Sequence, residues 1–426
     1  MVSRGSEVPE ASAADGNATG SEASDGPAPM AAPLAGIRVL DLTRFVSGAY
    51  ATMVLAALGA DVIKVEALPA GDPYRAQGTV PVGGLSGLFA ALNTGKRSLA
   101  VDLRAPDGAA LIRRLACESD VFIQNARPGS LDRAGLGPKD LHELNPRLVY
   151  ASISGFGDTG PDAARGGFDL ILQAASGLMA VTGTPQSGPV KVGAPALDIG
   201  SGISVVAGIM AALLARAADG IGRTVTSSLL EFGLSCFTSY STDMLQTGHP
   251  PGLLGNDSPQ FAPYGVFRCQ DGAIALAGVG REELWTRLCA ALGRPDWAAD
   301  PRYTSNASRL RHRSELTAQI EDVLGSATTA HWQQVMDEAG IPASVVNQPT
   351  AALGSAQAAA LGIVTESHTP DGQAYRTLRP PLSVDGMPGY PRGAPALGQH
   401  TTEILGQAGL DADAIGDLLA RGIVAA

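Results

Sequence analysis

The sequence predicts an α/β protein whose main domain is a parallel β-sheet covered by helices on both faces. Short runs rich in Val, Ile and Leu alternate with helical segments through the first part of the chain, as in sheets that are buried on both faces. At 426 residues the chain exceeds the roughly 250 to 300 residues at which single cores stop growing. Because this alternation breaks after Gly248, we expect a second domain there.

The first predicted βαβ unit begins at Ile37. A strand of sequence IRVLDLT is followed by a helix from Ala49 to Leu58, which Gly59 ends, and then by a second strand, DVIKVE. The same alternation predicts a helix from Pro106 to Glu118 and three further strands, with the sequences SLAVDL, DVFIQN and RLVYASI.

Two helices are predicted next, from about Ser201 to Ala218 and from Leu229 to Gln246. The run from Ile199 to Ala215 is at the short end of membrane-spanning lengths and rich in Gly, Ser and Ala. It therefore favours a buried helix, and we expect no membrane partner. After the Gly- and Pro-rich residues 248–271, the runs YGVFRC and AIALAG predict a strand pair, followed by helices to about Ala339 and a further strand within GIPASVVN.

Composition excludes several classes of function. The formal net charge of −11 argues against a nucleic-acid partner, because phosphate binding needs clustered Lys and Arg. The four cysteines and six histidines show no metal-ligand spacing, which predicts no metal and a reducing, cytoplasmic setting. Residues 1–33 lack the pattern of a targeting signal and are predicted to form a disordered tail.

The GFGDTG run from Gly155 to Gly160 matches the dinucleotide-binding pattern, which would suggest a nicotinamide dehydrogenase. In that fold a helix begins inside the glycine run and faces the pyrophosphate. Here Pro161 and the pair at Gly166 and Gly167 interrupt any helix, so the dehydrogenase is disfavoured.

Asp198 is a candidate nucleophile. No G-x-S-x-G elbow or catalytic Cys context is present, and Asp198 precedes the predicted apolar helix, near its free N–H groups and positive dipole end. A helix N-cap explains the same position and, on spacing alone, is the better reading. Asp169, within GGFDLI, is open to the same two interpretations as a ligand-facing or a turn-forming residue.

Several arginines fall in predicted loops beside the early strands, where an open parallel sheet binds anionic ligands. Solvated surface charge is the alternative for each of them taken alone. They are Arg97, Arg104, Arg127 and Arg133.

Taken together, the chain resembles the class III CoA-transferase family, which contains formyl-CoA and carnitine CoA-transferases and the related α-methylacyl-CoA racemases. The matching runs occur in family order from about Leu34 to the C-terminus. They are LAGIRVLDLT, LGADVIKVE, LNTGKRSLAVDL, NARPGSLDRAGLG, LNPRLVYASISGFGDTGP, GFDLILQAASGL, APALDIGSG, APYGVFRCQDG, GIPASVVN and LGQHTTEIL.

The resemblance implies a Rossmann-like large domain with a parallel sheet, a smaller α+β domain and an interlocked homodimer. Residues 34–224 would form the N-terminal part of the large domain, residues 225–340 the small domain with its linkers, and residues 341–426 a segment returning to the large domain.

The resemblance also assigns roles to residues. Asp198 would be the nucleophile, forming an anhydride and then a thioester with CoA, with amides near Gly200 and Gly202 stabilising the oxyanion. The acyl-CoA donor and the carboxylic acid acceptor are substrates, and no resident cofactor is implied. The matched CoA-contacting positions are Val101, Arg104, Asn125, Ala126, Arg127, Arg133, Gly167, Phe168 and Asp169. Val46, Ala67 and Ala126 differ from residues common in relatives, which puts single CoA contacts in doubt.

Two alternatives stay open. An α-methylacyl-CoA racemase would use a His and Asp pair, here His142 and Asp169, although His142 stands a few residues from the expected position. A non-catalytic acyl-CoA binding protein could have kept the fold without the activity.

Overall fold

The computed structural model of the protein describes residues 30–78, 80–390 and 392–426. The predicted tail, residues 1–33, lies outside the described residues except for its last positions, from Met30 to Pro33.

The strands, in chain order, belong to one large sheet and several small ones. They are β1 Arg38–Leu42, β2 Asp61–Ala67, β3 Pro81–Val82, β4 Leu85–Ser86, β5 Arg97–Val101, β6 Val121–Gln124, β7 Val149–Ser154, β8 Gly183–Thr184, β9 Gly188–Pro189, β10 Thr224–Ser228, β11 Gly265–Arg268, β12 Ala273–Leu276, β13 Ala343–Val345, β14 Val364–His368, β15 Ala374–Leu378 and β16 Val424–Ala425.

The helices alternate with these strands along most of the chain. They are α1 Ser47–Ala57, α2 Gly87–Asn93, α3 Pro106–Cys117, α4 Pro138–Leu144, α5 Asp169–Ala175, α6 Ala196–Asp219, α7 Leu229–Ser235, α8 Ser241–Thr247, α9 Glu282–Ala291, α10 Asn306–Arg311, α11 Arg313–Leu324, α12 Thr329–Glu338, α13 Pro349–Leu353, α14 Ala356–Leu361, α15 Thr401–Gln407 and α16 Ala412–Ala420.

The large sheet has seven strands in the order β10-β7-β6-β1-β2-β5-β16. All neighbouring strands are parallel except β16, which pairs antiparallel with β5. Alternate strand residues enter two hydrophobic clusters, one beneath α1 and α6 and the other beneath α3, α15 and α16, since successive side chains of a strand point to opposite faces. The predicted α/β class with a parallel sheet is confirmed.

Helix α6 begins at Ala196, five residues earlier than predicted from the glycines at its start. These glycines are used for close packing: a Cβ at Gly202 would lie 2.7 Å from the Ser47 carbonyl oxygen, and one at Gly200 would meet the Phe232 ring at 2.0 Å. Among the described helices, α6 alone is long and apolar enough to span a membrane. It packs against α1, α7, β7 and β10, in keeping with a core helix.

The single helix predicted from Leu229 to Gln246 is wrong: two helices, α7 and α8, occupy this stretch. Where α7 ends and α8 begins, three hydroxyl groups each donate a hydrogen bond to the backbone carbonyl three residues earlier. They belong to Ser235, Thr238 and Ser241. Such local bonds compete with the hydrogen bonds of a continuous helix.

Strand β10, just before α7, was not predicted. It pairs with β7 in the large sheet, so the proposed domain division at residue 225 falls within this strand.

A separate hydrophobic cluster forms around the antiparallel sheet β11-β12-β13, as the predicted strand pair and the following helices suggest. It contains Trp285 from α9, and Trp297 and Tyr303 from the segment between α9 and α10. The chain then forms the β14-β15 ribbon and returns to the large sheet through α15, α16 and β16.

Candidate functional site

Asp198 lies in the first turn of α6 and is not its N-cap. Pro195 occupies the cap position and has no side-chain cap bond, so the capping interpretation of Asp198 is wrong. Its carboxylate is partly buried and lines a large cavity. The side chain is therefore held at a helix N-terminus while its oxygens face open space.

Asp169 supplies the missing cap from another helix. One of its carboxylate oxygens accepts hydrogen bonds from the backbone N–H groups of Leu197 at 2.8 Å and of Asp198 at 3.2 Å. Its other oxygen accepts from the Gln173 side-chain amide, whose own oxygen accepts from the Val192 N–H at 2.8 Å. Asp169 thus orients the start of α6, and with it Asp198.

The environment of Asp198 favours its neutral form. Burial, and to a smaller extent the negative charge of Asp169, together raise the pKa of the Asp198 carboxyl to about 7. Such a carboxyl changes its ionisation near neutral pH. A perturbed acid in a cavity is a typical candidate for chemistry.

The cavity next to Asp198 has a volume of about 1150 Å³ and a mostly apolar wall. Its charged lining residues are Asp169, Asp198, Arg376 and Arg379. The wall is formed by α1, α2, the start of α5 and α6, and by the region from α13 to β15. Its volume exceeds that of an ordinary small-ligand pocket, which leaves room for an acyl group together with part of a larger carrier.

Three aromatic rings cluster beside this cavity, and two of them, Tyr74 and Phe168, form part of its wall. The Phe45 ring contacts those of Tyr74 and Phe168 edge to face, with centroids 5.5 and 5.7 Å apart. Phe45 has a φ of 62°, an uncommon backbone conformation for an aromatic residue. Asn125 clamps the preceding residue, since its side chain bonds both the N–H and the carbonyl of Arg44 at 2.8 and 2.7 Å.

Tyr74 is a polar group that the sequence did not single out. Its N–H donates to Asp72, whose carboxylate in turn pairs with Lys64 at 2.9 Å. Burial raises the pKa of the Tyr74 phenol, and the charges of Asp198 and Asp72 act in the same direction. The phenol therefore stays protonated beside Asp198 and can donate a hydrogen bond.

A smaller cavity of about 240 Å³ lies near the C-terminal ends of β1 and β2. It is lined by Arg44, Ala126, Ser130 and neighbouring residues. The Ser130 hydroxyl is buried and, among the described atoms, has no hydrogen-bond partner. Open parallel sheets bind ligands at this end of their strands, and Ala67 lies here too.

The predicted CoA-contacting residues fall into separate places. Phe168 and Asp169 line the large cavity, and Ala126 lines the small one. Arg127 lies close to the backbone next to Gly167, since a Cβ added to Gly166 would be 3.3 Å from the Arg127 guanidinium. The Arg104 and Arg133 side chains are exposed.

Val101 is the exception among these positions. Its side chain is fully buried in the hydrophobic cluster beneath α3, where β5 pairs with β2 and β16. It therefore lines neither cavity.

Other expectations about this region are not met. Gly200 and Gly202 lie within α6, where the helix uses the backbone amides for its own ladder, so these amides are not free to bind an oxyanion. His142 bonds the Leu148 carbonyl at 3.0 Å and does not line the cavity that contains Asp169. The pair that a racemase needs is thus not brought together.

Buried charges brace the strand ends beneath the site. Lys96 contacts Asp41 at 3.1 Å, and both side chains are fully buried. Burial lowers the pKa of Lys96 to about 8, against the opposing effect of Asp41. Lys64 bonds the Thr43 carbonyl at 3.0 Å as well as Asp72. The loops after β1 and β2, which carry Phe45 and Tyr74, are therefore held by paired charges.

The described residues contain no group of three or more His, Cys, Asp or Glu side chains arranged to hold a metal ion. Sequence reasoning did not single out Phe45, Tyr74, Ser130 and Arg376, which the structure places at or beside the two cavities. Only Tyr74 had a signal, because the Asp-Pro turn before it follows a strand of the parallel sheet.

Comparison with known proteins gives a consistent result. Residues 34–401 match the family described as CoA-transferase family III. An acyl-CoA transferase of Fusarium pseudograminearum is 36% identical over 402 residues, covering 92% of this chain and 88% of that protein. A succinate–glutarate CoA-transferase of Agrobacterium fabrum is 37% identical over 387 residues, covering 88% and 95% respectively. The crystal structure of a CAIB/BAIF family protein from Brucella suis superposes with a TM-score of 0.80 at 33% identity, covering 89% of this chain and all of that one.

Proposed function

This chain belongs to CoA-transferase family III, and on that premise we propose that Asp198 is the nucleophile that carries CoA from an acyl-CoA donor to a carboxylic acid. The observation that supports this most is a partly buried carboxylate at a helix N-terminus, oriented by Asp169 and facing a large apolar cavity. Coenzyme A is a substrate in this proposal, and no resident cofactor takes part.

The proposed cycle has four steps, each balanced by a leaving group. The Asp198 carboxylate attacks the donor thioester, which expels the CoA thiolate and leaves a mixed anhydride. The thiolate then attacks the Asp198 carbonyl, releasing the donor acid and leaving an aspartyl-CoA thioester. The acceptor carboxylate repeats these two steps in reverse and regenerates Asp198. Since each intermediate stays activated, ATP is not needed.

Two features of the cavity support this cycle. Its apolar wall limits access of water, which would otherwise hydrolyse the intermediates. The protonated phenol of Tyr74 is our proposed donor to the oxyanion of the tetrahedral intermediates, in place of the helix amides at Gly200 and Gly202.

We propose that CoA lies along the C-terminal ends of β1, β5 and β6, from the small cavity to Asp198. Asn125, Ala126, Arg127 and Arg133 would contact it there, as would Arg104, whose side chain is 81% exposed and pairs with Asp102 at 3.1 Å. Val101 would contribute backbone contacts only, since its side chain is buried.

We also propose a cytoplasmic, interlocked homodimer with a smaller domain around β11-β12-β13. Exposed apolar side chains on α6, α7 and α8 support an interface with a second chain, among them Leu214, Leu234 and Leu245. All four cysteines lie in described residues and are unpaired, in keeping with a reducing compartment.

The nucleophile is tested by Asp198→Asn. This variant should exchange no CoA between acids, because an amide cannot form the anhydride, and mass spectrometry after hydroxylamine treatment with acyl-CoA should find a hydroxamate at Asp198 only in the unmodified protein. Asp219→Asn, at the other end of α6, is the matched control and should keep full activity. Exchange by Asp198→Asn would contradict the proposal.

A further inference from the structure

One wall of the large cavity is the face of the β14-β15 ribbon. Val364 pairs with Leu378 and Glu366 with Arg376 in the antiparallel register, and residues opposite each other point to the same side of a ribbon. Val364, Arg376 and Leu378 all line the cavity that contains Asp198. Tyr375, which alternates with them, is buried on the other face, whereas Thr377, also buried, contributes to the cavity wall as well.

The two arginines of this cavity differ in how their donors are used. The Arg379 guanidinium donates to the carbonyls of Leu361, Gly362, Pro380 and Leu382, at 2.7 to 3.3 Å. It therefore fixes the local backbone. The Arg376 guanidinium forms no hydrogen bond or ion pair with any described residue. Glu366, its cross-strand neighbour in the ribbon, has a carboxylate oxygen 3.9 Å from the His368 ring.

The Arg376 side chain is exposed and lines the cavity beside apolar side chains, so its guanidinium can bind an anion that enters the cavity. Arg presents a planar set of donors that matches a carboxylate bidentately. The other charges in the wall of this cavity are Asp169 and Asp198, and the chain has a formal net charge of −11. A negatively charged acyl group would be repelled here unless a local cation compensated for it.

We propose that Arg376 binds a second carboxylate, carried by the acyl group of the substrate, and so selects dicarboxylic over monocarboxylic acids. This inference rests on the proposed function in one respect: it assumes that the reacting carbonyl of the acyl group lies at Asp198. The apolar residues between the two ends, such as Leu378 and Val364, would contact the carbon chain that joins the two carboxylates.

The inference is tested with glutarate, which has two carboxylates, and its monoamide, which has the same shape and one. With succinyl-CoA as donor, Arg376→Leu should raise the KM for glutarate by roughly 10- to 100-fold and change the KM for the monoamide little. Arg376→Lys, which keeps the positive charge, should raise the KM for glutarate by a smaller factor. Arg294→Leu, which removes a surface arginine paired with Asp296 in the separate cluster, is the control and should behave as the unmodified protein.

Two results would overturn the inference. An equal loss for both acids would mean that Arg376 contacts CoA or supports the fold, and unchanged selectivity would mean that it binds no carboxylate. Calorimetric titration of both acids into the unmodified protein and Arg376→Leu gives the same comparison without turnover. Failure of the CoA-transfer proposal, seen as no exchange with any acid, is thus separate from failure of the Arg376 assignment.

Discussion

At the scale of single residues, the site combines two carboxylates with different tasks. Asp169 accepts the two amides at the start of α6 and so acts through position, whereas Asp198 faces the cavity. Burial and the Asp169 charge raise the pKa of Asp198 to about 7, although a helix N-terminus alone would favour the charged form. Burial outweighs the helix dipole here, which places the ionisation of the proposed nucleophile near neutral pH.

The rate should therefore depend on pH. Because only ionised Asp198 attacks, we expect kcat/KM to rise with pH through about 7. Asp169→Asn removes the like charge that disfavours ionisation while keeping an oxygen to accept the α6 amides, so the rise should move to lower pH. The measurement is the pH profile of CoA exchange for both proteins.

Asp219→Asn is the control for this profile, since Asp219 pairs with Arg223 on the surface at the far end of α6. Its profile should match that of the unmodified protein. A rise that stays in place, or moves to higher pH, in Asp169→Asn would show that Asp169 does not set the ionisation of Asp198.

At the scale of elements, the position of Asp198 depends on how closely α6 approaches α1. Gly202 allows this contact, because a Cβ there would lie 2.7 Å from the Ser47 carbonyl oxygen, which is backbone and cannot turn away. The same α1 carries Tyr50 and Met53 into the cavity wall. Packing of this helix pair therefore sets the position of Asp198 relative to the cavity.

Gly202→Ala should accordingly lower both stability and activity. Overpacking against backbone costs roughly 1–3 kcal/mol, and a shift of α6 moves Asp198. Gly416→Ala in α16, where a Cβ meets nothing within 4 Å, is the matched control and should stabilise the protein by about 0.5–1 kcal/mol. Chemical denaturation measures the stability of both variants, and CoA-exchange assays measure their activity. If Gly202→Ala changed neither, the proposed role of this contact would be contradicted.

At the scale of the whole molecule, distant parts of the chain build one sheet and one cavity. The C-terminal strand β16 pairs with β5, and the cavity wall takes residues from Val46 to Pro381. Helix α6 leaves Ile203 and Leu214 exposed on its outer side, with Leu214 76% exposed. Under the proposed homodimer, these side chains would be covered by the second chain.

We expect light scattering to find a particle with twice the 43.3 kDa mass of one chain. If the chains are interlocked, dilution should not release monomers, and loss of the dimer in denaturant should coincide with unfolding. Replacing Leu214 with Glu should weaken assembly, whereas the same change at Leu419, on α16, should not. A mass equal to one chain would contradict the homodimer.

Local sequence determined most of the sheet and the choice of Asp198. Alternating apolar runs predict β1, β2, β5, β6 and β7, since strand periodicity and turn residues are local properties, and the ordered family-like runs indicated CoA transfer and its nucleophile. Tertiary structure decided the rest. Asp169 meets the α6 amides from 28 residues away, Phe45 and Tyr74 meet across two loops, and Arg376 reaches the cavity from a late ribbon. Such contacts depend on how elements pack, which no local pattern encodes. The same packing shows that Asp198 is not the helix cap that its spacing suggested but a carboxylate in the wall of the cavity.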